Sequence, residues 1–255
     1  MKLRFAVIGT GFWANYQIPA WLELPKVQLV ALCDIEKDKA QALADLYGIA
    51  RVYDQVEEML ASEELDFVDI ITGVDTHATF TELAAKKGIG VICQKPMAPT
   101  LHKAKMMVEV CRKWNVPFAV HENFRWQRPL RQLKEFLDNE VIGSIFKARV
   151  TFCSGFPVFD NQPFLKKLDK FILMDVGSHI LDVCRFLFGE VENLLCHTRT
   201  VNPEINGEDV ANVLLKMKNG ISCFAEMSYA SILERESFPQ TLVLRRRKGI
   251  PAPGS

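Results

Sequence analysis

Val7-Ile8-Gly9-Thr10-Gly11-Phe12-Trp13-Ala14 closes a short apolar run and opens a helical one. A strand that ends in two glycines and passes directly into a helix is the turn of a dinucleotide-binding fingerprint. The first glycine permits the tight turn, and the second lets the main chain approach a pyrophosphate. The small Ala14 lets the helix pack closely on its strand. The helix N-terminus presents N–H groups and a positive partial charge to phosphate. Thr10, Phe12 and Trp13 lie inside the turn and count with it as candidate cofactor contacts. Asp34 ends the next apolar run, twenty residues beyond Ala14, near the spacing at which an acid meets the ribose hydroxyls. Such a carboxylate would repel a 2′-phosphate, and Ile35, not arginine, follows it. The residues therefore predict NAD in preference to NADP. The lesser alternative is a plain βα turn, with Asp34 capping the next helix.

Outward from this turn, apolar runs alternate with helical periods. Leu3–Ile8, Val27–Cys33, Phe67–Ile71, Ile89–Cys93 and Val116–Val120 read as strands. Phe12–Leu24, Lys37–Tyr47, Val56–Leu60, His77–Lys87 and Leu101–Trp114 read as helices. Continuous apolar strands separated by helices predict a parallel sheet covered on both faces. After His121 the order changes to helices at Gln127–Asn139 and Ile172–Phe188 and strands at Ser144–Cys153, Val191–Thr200, Val210–Met217, Ile221–Tyr229 and Thr241–Leu244. Asn219-Gly220 is a hairpin signal. The expected fold is α/β, a Rossmann doubly wound parallel sheet followed by an α+β domain with a mostly antiparallel open sheet. The boundary falls near 120–125, giving a dinucleotide domain at 1–122 and a substrate and oligomerisation domain at 123–255.

Lys+Arg and Asp+Glu balance at 31 each, which argues against a nucleic-acid partner. The seven scattered cysteines form no Cys-x-x-Cys pair and no metal spacing, as expected of thiols in a reducing compartment. The opening residues make a poor signal peptide, and no apolar run approaches the ~20 residues that span a bilayer. A cytoplasmic protein with no metal and no membrane partner is expected.

Further motifs sit at the ends of later strands, where ligands collect in open α/β sheets. They are Ile70-Ile71-Thr72-Gly73-Val74-Asp75-Thr76-His77, Gln94-Lys95-Pro96, His121-Glu122-Asn123-Phe124-Arg125-Trp126 and, opening the long later helix, Asp175-Val176-Gly177-Ser178-His179. Together they resemble the glucose–fructose oxidoreductase/inositol dehydrogenase family (Gfo/Idh/MocA), in order, from about Arg4 to Val243. Where that family usually has Glu-Lys-Pro, this chain has Gln94. The resemblance implies an NAD(P)-dependent dehydrogenase of sugars, inositols and related polyols that associates through its second-domain sheet. It implies that Lys95 lies near the nicotinamide and the reacting hydroxyl, before a proline whose peptide is often cis. It matches Asp175 and His179 to the family's acid and general base, Thr72 and His77 to the loop flanking the dinucleotide, and Gln94 to the cofactor side. It places Asn123 near nicotinamide and substrate.

The chemistry agrees. Oxidising a secondary alcohol needs a hydride acceptor and a base, and an imidazole suits the base at neutral pH. Asp175 and His179 are four apart and share a helix face, so the carboxylate could orient the ring or hold a substrate hydroxyl. Lys95 would stabilise a developing alkoxide. Taken singly, these residues could be a solvated lysine, a core histidine and a helix cap, and His77 and His121 could be turn and capping residues. Two other readings stay open: a non-catalytic or regulatory dinucleotide-binding protein of this fold, and an enzyme using NAD transiently to cleave a bond. The pattern is expected to break after Val243, into Leu244-Arg245-Arg246-Arg247-Lys248 and a Pro/Gly-rich ending. That ending reads as a solvated tail on a second domain that stops short and leaves a sheet edge open.

Overall fold

Strand β1 (Leu3–Ile8) sends Phe5 and Val7 to one core and Ala6 and Ile8 to another, with all four buried. A strand apolar on both faces belongs inside a sheet covered on both sides. The computed structural model describes residues 1–231 and 240–246. The chain divides into two units, Met1–His121 and Glu122–Ser255.

The first unit runs β1, α1 (Ala14–Leu22), β2 (Val27–Cys33), α2 (Lys37–Tyr47), β3 (Arg51–Tyr53), α3 (Val56–Ser62), β4 (Phe67–Ile70), α4 (His77–Lys86), β5 (Gly90–Cys93), α5 (Leu101–Lys113) and β6 (Phe118–Val120). The sheet order is β3-β2-β1-β4-β5-β6, and every pairing is parallel. Ala14 and Ile18 of α1 and Ala40, Leu43 and Ala44 of α2 pack with Phe5 and Val7. Met59 of α3, Ala84 of α4 and Met107 of α5 pack with Ala6 and Ile8 on the opposite side. The strand order reverses between β1 and β4, which is the switch point where doubly wound sheets bind ligands. Strand β3 is absent from the sequence reading, because three residues are too few to show alternation.

The second unit opens with a 3-10 turn at Phe124–Trp126. It continues through α6 (Arg128–Asp138), β7 (Ile145–Cys153), α7 (Val158–Asn161), a 3-10 turn at Pro163–Lys167, α8 (Ile172–Phe188), β8 (Val191–Arg199), β9 (Val210–Met217), β10 (Ser222–Ser228) and β11 (Gln240–Arg246). The sheet order is β11-β7-β10-β9-β8. All its pairings are antiparallel except β7 with β10. Val176, Ile180, Val183, Cys184 and Leu187 of α8 share a core with Ala148, Val213, Leu215, Cys223 and Ala225 of the strands. Alternation then puts Leu195, Leu214 and Phe224 in one cross-strand row on the other face. Gly220, at φ +87°, makes the expected turn between β9 and β10. The expected break at Leu244 is corrected. Strand β11 continues to Arg246, and its Val243 and Leu244 pair with Arg149 and Ala148 of β7. The basic run beyond Arg246 and the Pro/Gly-rich ending lie outside the described residues. No helix among the described residues is long and apolar enough to cross a membrane.

Candidate active site

In the first unit the turn after β1 is built around Gly9. Its φ is +99°, and a Cβ there would lie 2.8 Å from the Ile71 carbonyl carbon and 2.9 Å from the Ile71 oxygen. Only glycine passes the end of β4 this closely. Gly11 meets no crowding, since a Cβ there would find nothing within 4 Å. The Asp34 carboxylate ties the turn down. Its Oδ2 accepts from the Thr10 amide at 2.7 Å and the Thr10 hydroxyl at 2.8 Å, and its Oδ1 accepts from the Glu36 amide at 2.9 Å. A carboxylate has about four acceptor positions, so one remains on Oδ1. Asp34 thus first orders the turn, a role its spacing did not reveal.

Gly9, Gly11, Asp34, Ile35 and Thr72 line a cleft of about 470 Å³ at the strand ends. That size suits a ligand pocket. With Gly9 passing β4 and an acceptor position left on Asp34, the cleft fits the adenosine and phosphate side of a dinucleotide. The other expected cofactor residues do not line it. Ala14 is buried against the sheet, as its size predicted. Phe12 and Trp13 are exposed and form an aromatic cluster with Tyr16, at centroid distances of 5.3 to 5.8 Å.

His77 is fully buried. Its ring lies between two carbonyls, Nε2 3.1 Å from Thr72 O and Nδ1 3.3 Å from Met97 O. Burial lowers its pKa against the opposing pull of these carbonyls. His77 thus spans the loop after β4 and the loop after β5. Gln94 is also buried. Its Nε2 donates to Gln17 Oε1 at 2.6 Å, and its Oε1 accepts from the Lys95 amide at 2.7 Å. Lys95 itself is half-buried, and the Lys95–Pro96 peptide is cis.

In the second unit α8 carries Asp175 and His179 on one face, and His179 is buried. The carboxylate on His179 belongs to Glu122, not Asp175. Glu122 Oε1 is hydrogen-bonded to His179 Nδ1, and Phe124 stacks on the ring at 4.1 Å with planes 7° apart. A carboxylate accepts only, so Nδ1 carries a proton, and in the neutral ring the lone pair is on Nε2. Glu122 Oε1 also accepts from the Phe124 amide at 3.3 Å. Arg125 grips Asp182 of α8 through both carboxylate oxygens, its Nε at 2.6 Å, and lies over Phe186. These contacts fasten the 122–126 segment to α8. Asp175 Oδ2 accepts from the Tyr229 hydroxyl at 3.4 Å, and burial and that carboxylate push the phenol pKa up. Asn123, expected at the substrate, is exposed at the start of the 3-10 turn. Among the described residues no group of three or more His, Cys, Asp or Glu could hold a metal ion.

Known proteins agree with both units. Residues 3–122 match the family described as an oxidoreductase family with an NAD-binding Rossmann fold, and residues 130–249 match the GFO/IDH/MocA C-terminal domain. D-apiose dehydrogenase of Paraburkholderia graminis is 45% identical over 95% of this chain and 64% of its own length. That of Rhizobium rhizogenes is 42% identical over 95% and 70%. An oxidoreductase from Agrobacterium radiobacter, solved with NAD+, L-tartaric acid and magnesium, superposes with a TM-score of 0.94. It is 40% identical, over 96% of this chain and 72% of that one. The chain thus spans about two thirds of the length of the curated relatives it matches.

Proposed function

Because the chain belongs to the Gfo/Idh/MocA family of oxidoreductases, we propose that it is an NAD-dependent dehydrogenase oxidising a secondary alcohol of a sugar, cyclitol or related polyol. The observation that carries the reading is the carboxylate-oriented imidazole of His179 on α8. NAD, when bound, supplies the hydride acceptor. The Gly9–Ala14 turn and Asp34 hold it, with Thr72 at the rim of the cleft. His179 Nε2 takes the hydroxyl proton, and Glu122 stabilises the imidazolium that forms. The Lys95 ammonium stabilises the alkoxide. Asp175 and Asn123 hold substrate hydroxyls.

The test is NADH accumulation by the full chain with a panel of aldoses, cyclitols and polyols headed by D-apiose. Steady NADH formation supports the dehydrogenase. Product without net NADH favours transient NAD use, and tight NAD binding with no turnover on any substrate leaves a non-catalytic protein. Replacing Glu122 with Gln should lower kcat about tenfold or more with little change in the KM for NAD, because an amide no longer stabilises the imidazolium. An unchanged kcat would remove Glu122 from the mechanism.

Asp34→Ala is expected to shift the NADP-to-NAD ratio of kcat/KM by about tenfold toward NADP, which is about 1.4 kcal/mol. It should also raise the KM for NAD, because the Thr10 bonds go with it. An unchanged ratio under steady-state assay would take away the reason for preferring NAD. The proposal also makes the protein a cytoplasmic homo-oligomer acting on small molecules, with neither nucleic acid nor membrane as partner. The row of Leu195, Leu214 and Phe224 supports self-association. The free thiols of the described cysteines support a reducing compartment.

A further inference from the structure

Asp69 is fully buried in β4 between Val68 and Ile70, and no step proposed above uses it. Its Oδ2 accepts from Gln17 Nε2 at 3.1 Å and from Trp21 Nε1 at 2.7 Å. Its Oδ1 has no hydrogen-bond partner among the described residues. Burial pushes the carboxyl up to about 6, against the two hydrogen bonds that favour its anion. Trp21 Nε1 can only donate, so Oδ2 is an acceptor. The Cys93 thiol on neighbouring β5 feels the charge of the anion.

The bonds continue in one direction. Gln17 Oε1 accepts from Gln94 Nε2 at 2.6 Å, and Gln94 Oε1 accepts from the Lys95 amide at 2.7 Å. A side-chain amide with an acceptor at one end must present its oxygen at the other. An accepting Asp69 Oδ2 at one end of the chain and a donor-only main-chain N–H at the other leave one orientation for the two glutamines between them. That orientation turns the Gln94 oxygen onto Lys95. Gln17 and Trp21 lie on α1, the helix that starts at the glycine turn. The bonds therefore join three elements: the cofactor helix, β4 and the segment after β5. Packing alone does not account for this, because a buried carboxylate with one idle oxygen is costly and an apolar side chain would fill the same place more cheaply.

From this chain of bonds we infer that Asp69, Gln17 and Gln94 are positioning residues: they hold the Lys95 main chain in register with the helix of the dinucleotide turn. The inference rests on the dehydrogenase reading for what Lys95 does, but not for the bonds themselves.

Gln94→Glu tests it with almost no change of shape. A carboxylate at 94 accepts from both neighbours, so Gln17 must turn its NH2 toward residue 94 and its oxygen toward Asp69. Two acceptors then face each other. Asp69→Asn in the same chain supplies a donor there; because the Trp21 N–H bonds the same Asp69 oxygen and would face the new amide donor to donor, the double variant is made in a Trp21→Phe background, where residues 17 and 69 run with reversed polarity. On the alkaline side of neutrality, kcat of Gln94→Glu should fall about tenfold, as expected when a catalytic group is slightly misplaced, with a much smaller change in the KM for NAD. The double variant should recover most of the loss. The second readout needs no turnover. In the full chain labelled with 15N-lysine, the Lys95 main-chain amide resonance, assigned with Lys95→Arg, should move in Gln94→Glu and return toward its original place in the double variant. If wild type oxidises nothing, the dehydrogenase reading falls while the resonance still tests the bonds. An unmoved resonance in Gln94→Glu, or a double variant no closer to wild type than the single, overturns the inference. Should Gln94→Glu not fold, a folded double variant with a near-native Lys95 resonance supports it, and loss of both overturns it.

Discussion

Replacing His179 with alanine should lower kcat by about 10²- to 10⁴-fold, the range that a positioned general base contributes, while NAD binding stays as in wild type. The expectation follows from the ring's surroundings. Glu122 accepts the hydrogen bond of the Nδ1–H and Phe124 covers one face, so Nε2 is the nitrogen left for chemistry. The residues that line the dinucleotide cleft all belong to the first unit, which is why affinity for NAD should not follow kcat down. Lys95→Ala should behave alike in kcat. Steady-state NADH formation and NAD titration by calorimetry separate the two quantities. Wild-type turnover in either variant would falsify its catalytic assignment.

The second large effect belongs to Gly9. Gly9→Ala should destabilise the protein by about 3 kcal/mol and abolish measurable NAD binding. Its Cβ would press on the main chain at Ile71, which cannot swing aside, and the φ of +99° is strained for any L side chain. Gly11→Ala should do the reverse: the protein keeps its stability because the new methyl meets nothing within 4 Å, but NAD binds more weakly because the methyl stands where a phosphate approaches. Thermal unfolding and NAD titration of both variants check this. A Gly9→Ala protein melting with wild type would show that the turn can relax.

Much of this was legible in the residues. The glycine turn, the parallel strands and the spacing of Asp34 are local patterns, and local patterns survive folding. Helix α8 begins and ends at the expected residues because its apolar stripe and the glycine after it are strong signals. What escaped depends on distance along the chain. Glu122 and His179 are far apart in sequence, and no periodicity joins them, so the nearer Asp175 was the natural candidate to orient the ring. His77 is matched by resemblance to the loop flanking the dinucleotide, and its sequence neighbourhood could not show that its ring lies between backbone carbonyls of two loops. Asp69 had a signal that went unread. An acid in the middle of an apolar strand of a doubly covered sheet has no route to solvent and needs partners.

The pairing of β7 bears on the order in which the protein is made. In the first unit the last strand, β6, is in place by Val120, and each parallel pair is bridged by chain already synthesised. In the second unit β7 is flanked by β10 and β11, so Ile145–Cys153 must wait for Ser222–Ser228 and then for Gln240–Arg246. Contacts this distant in sequence slow folding, and domains tend to fold from the N-terminus during synthesis. A ribosome that has just released the dinucleotide unit therefore still holds β7 with both edges bare. In that interval the nascent chain has the most to gain from a chaperone.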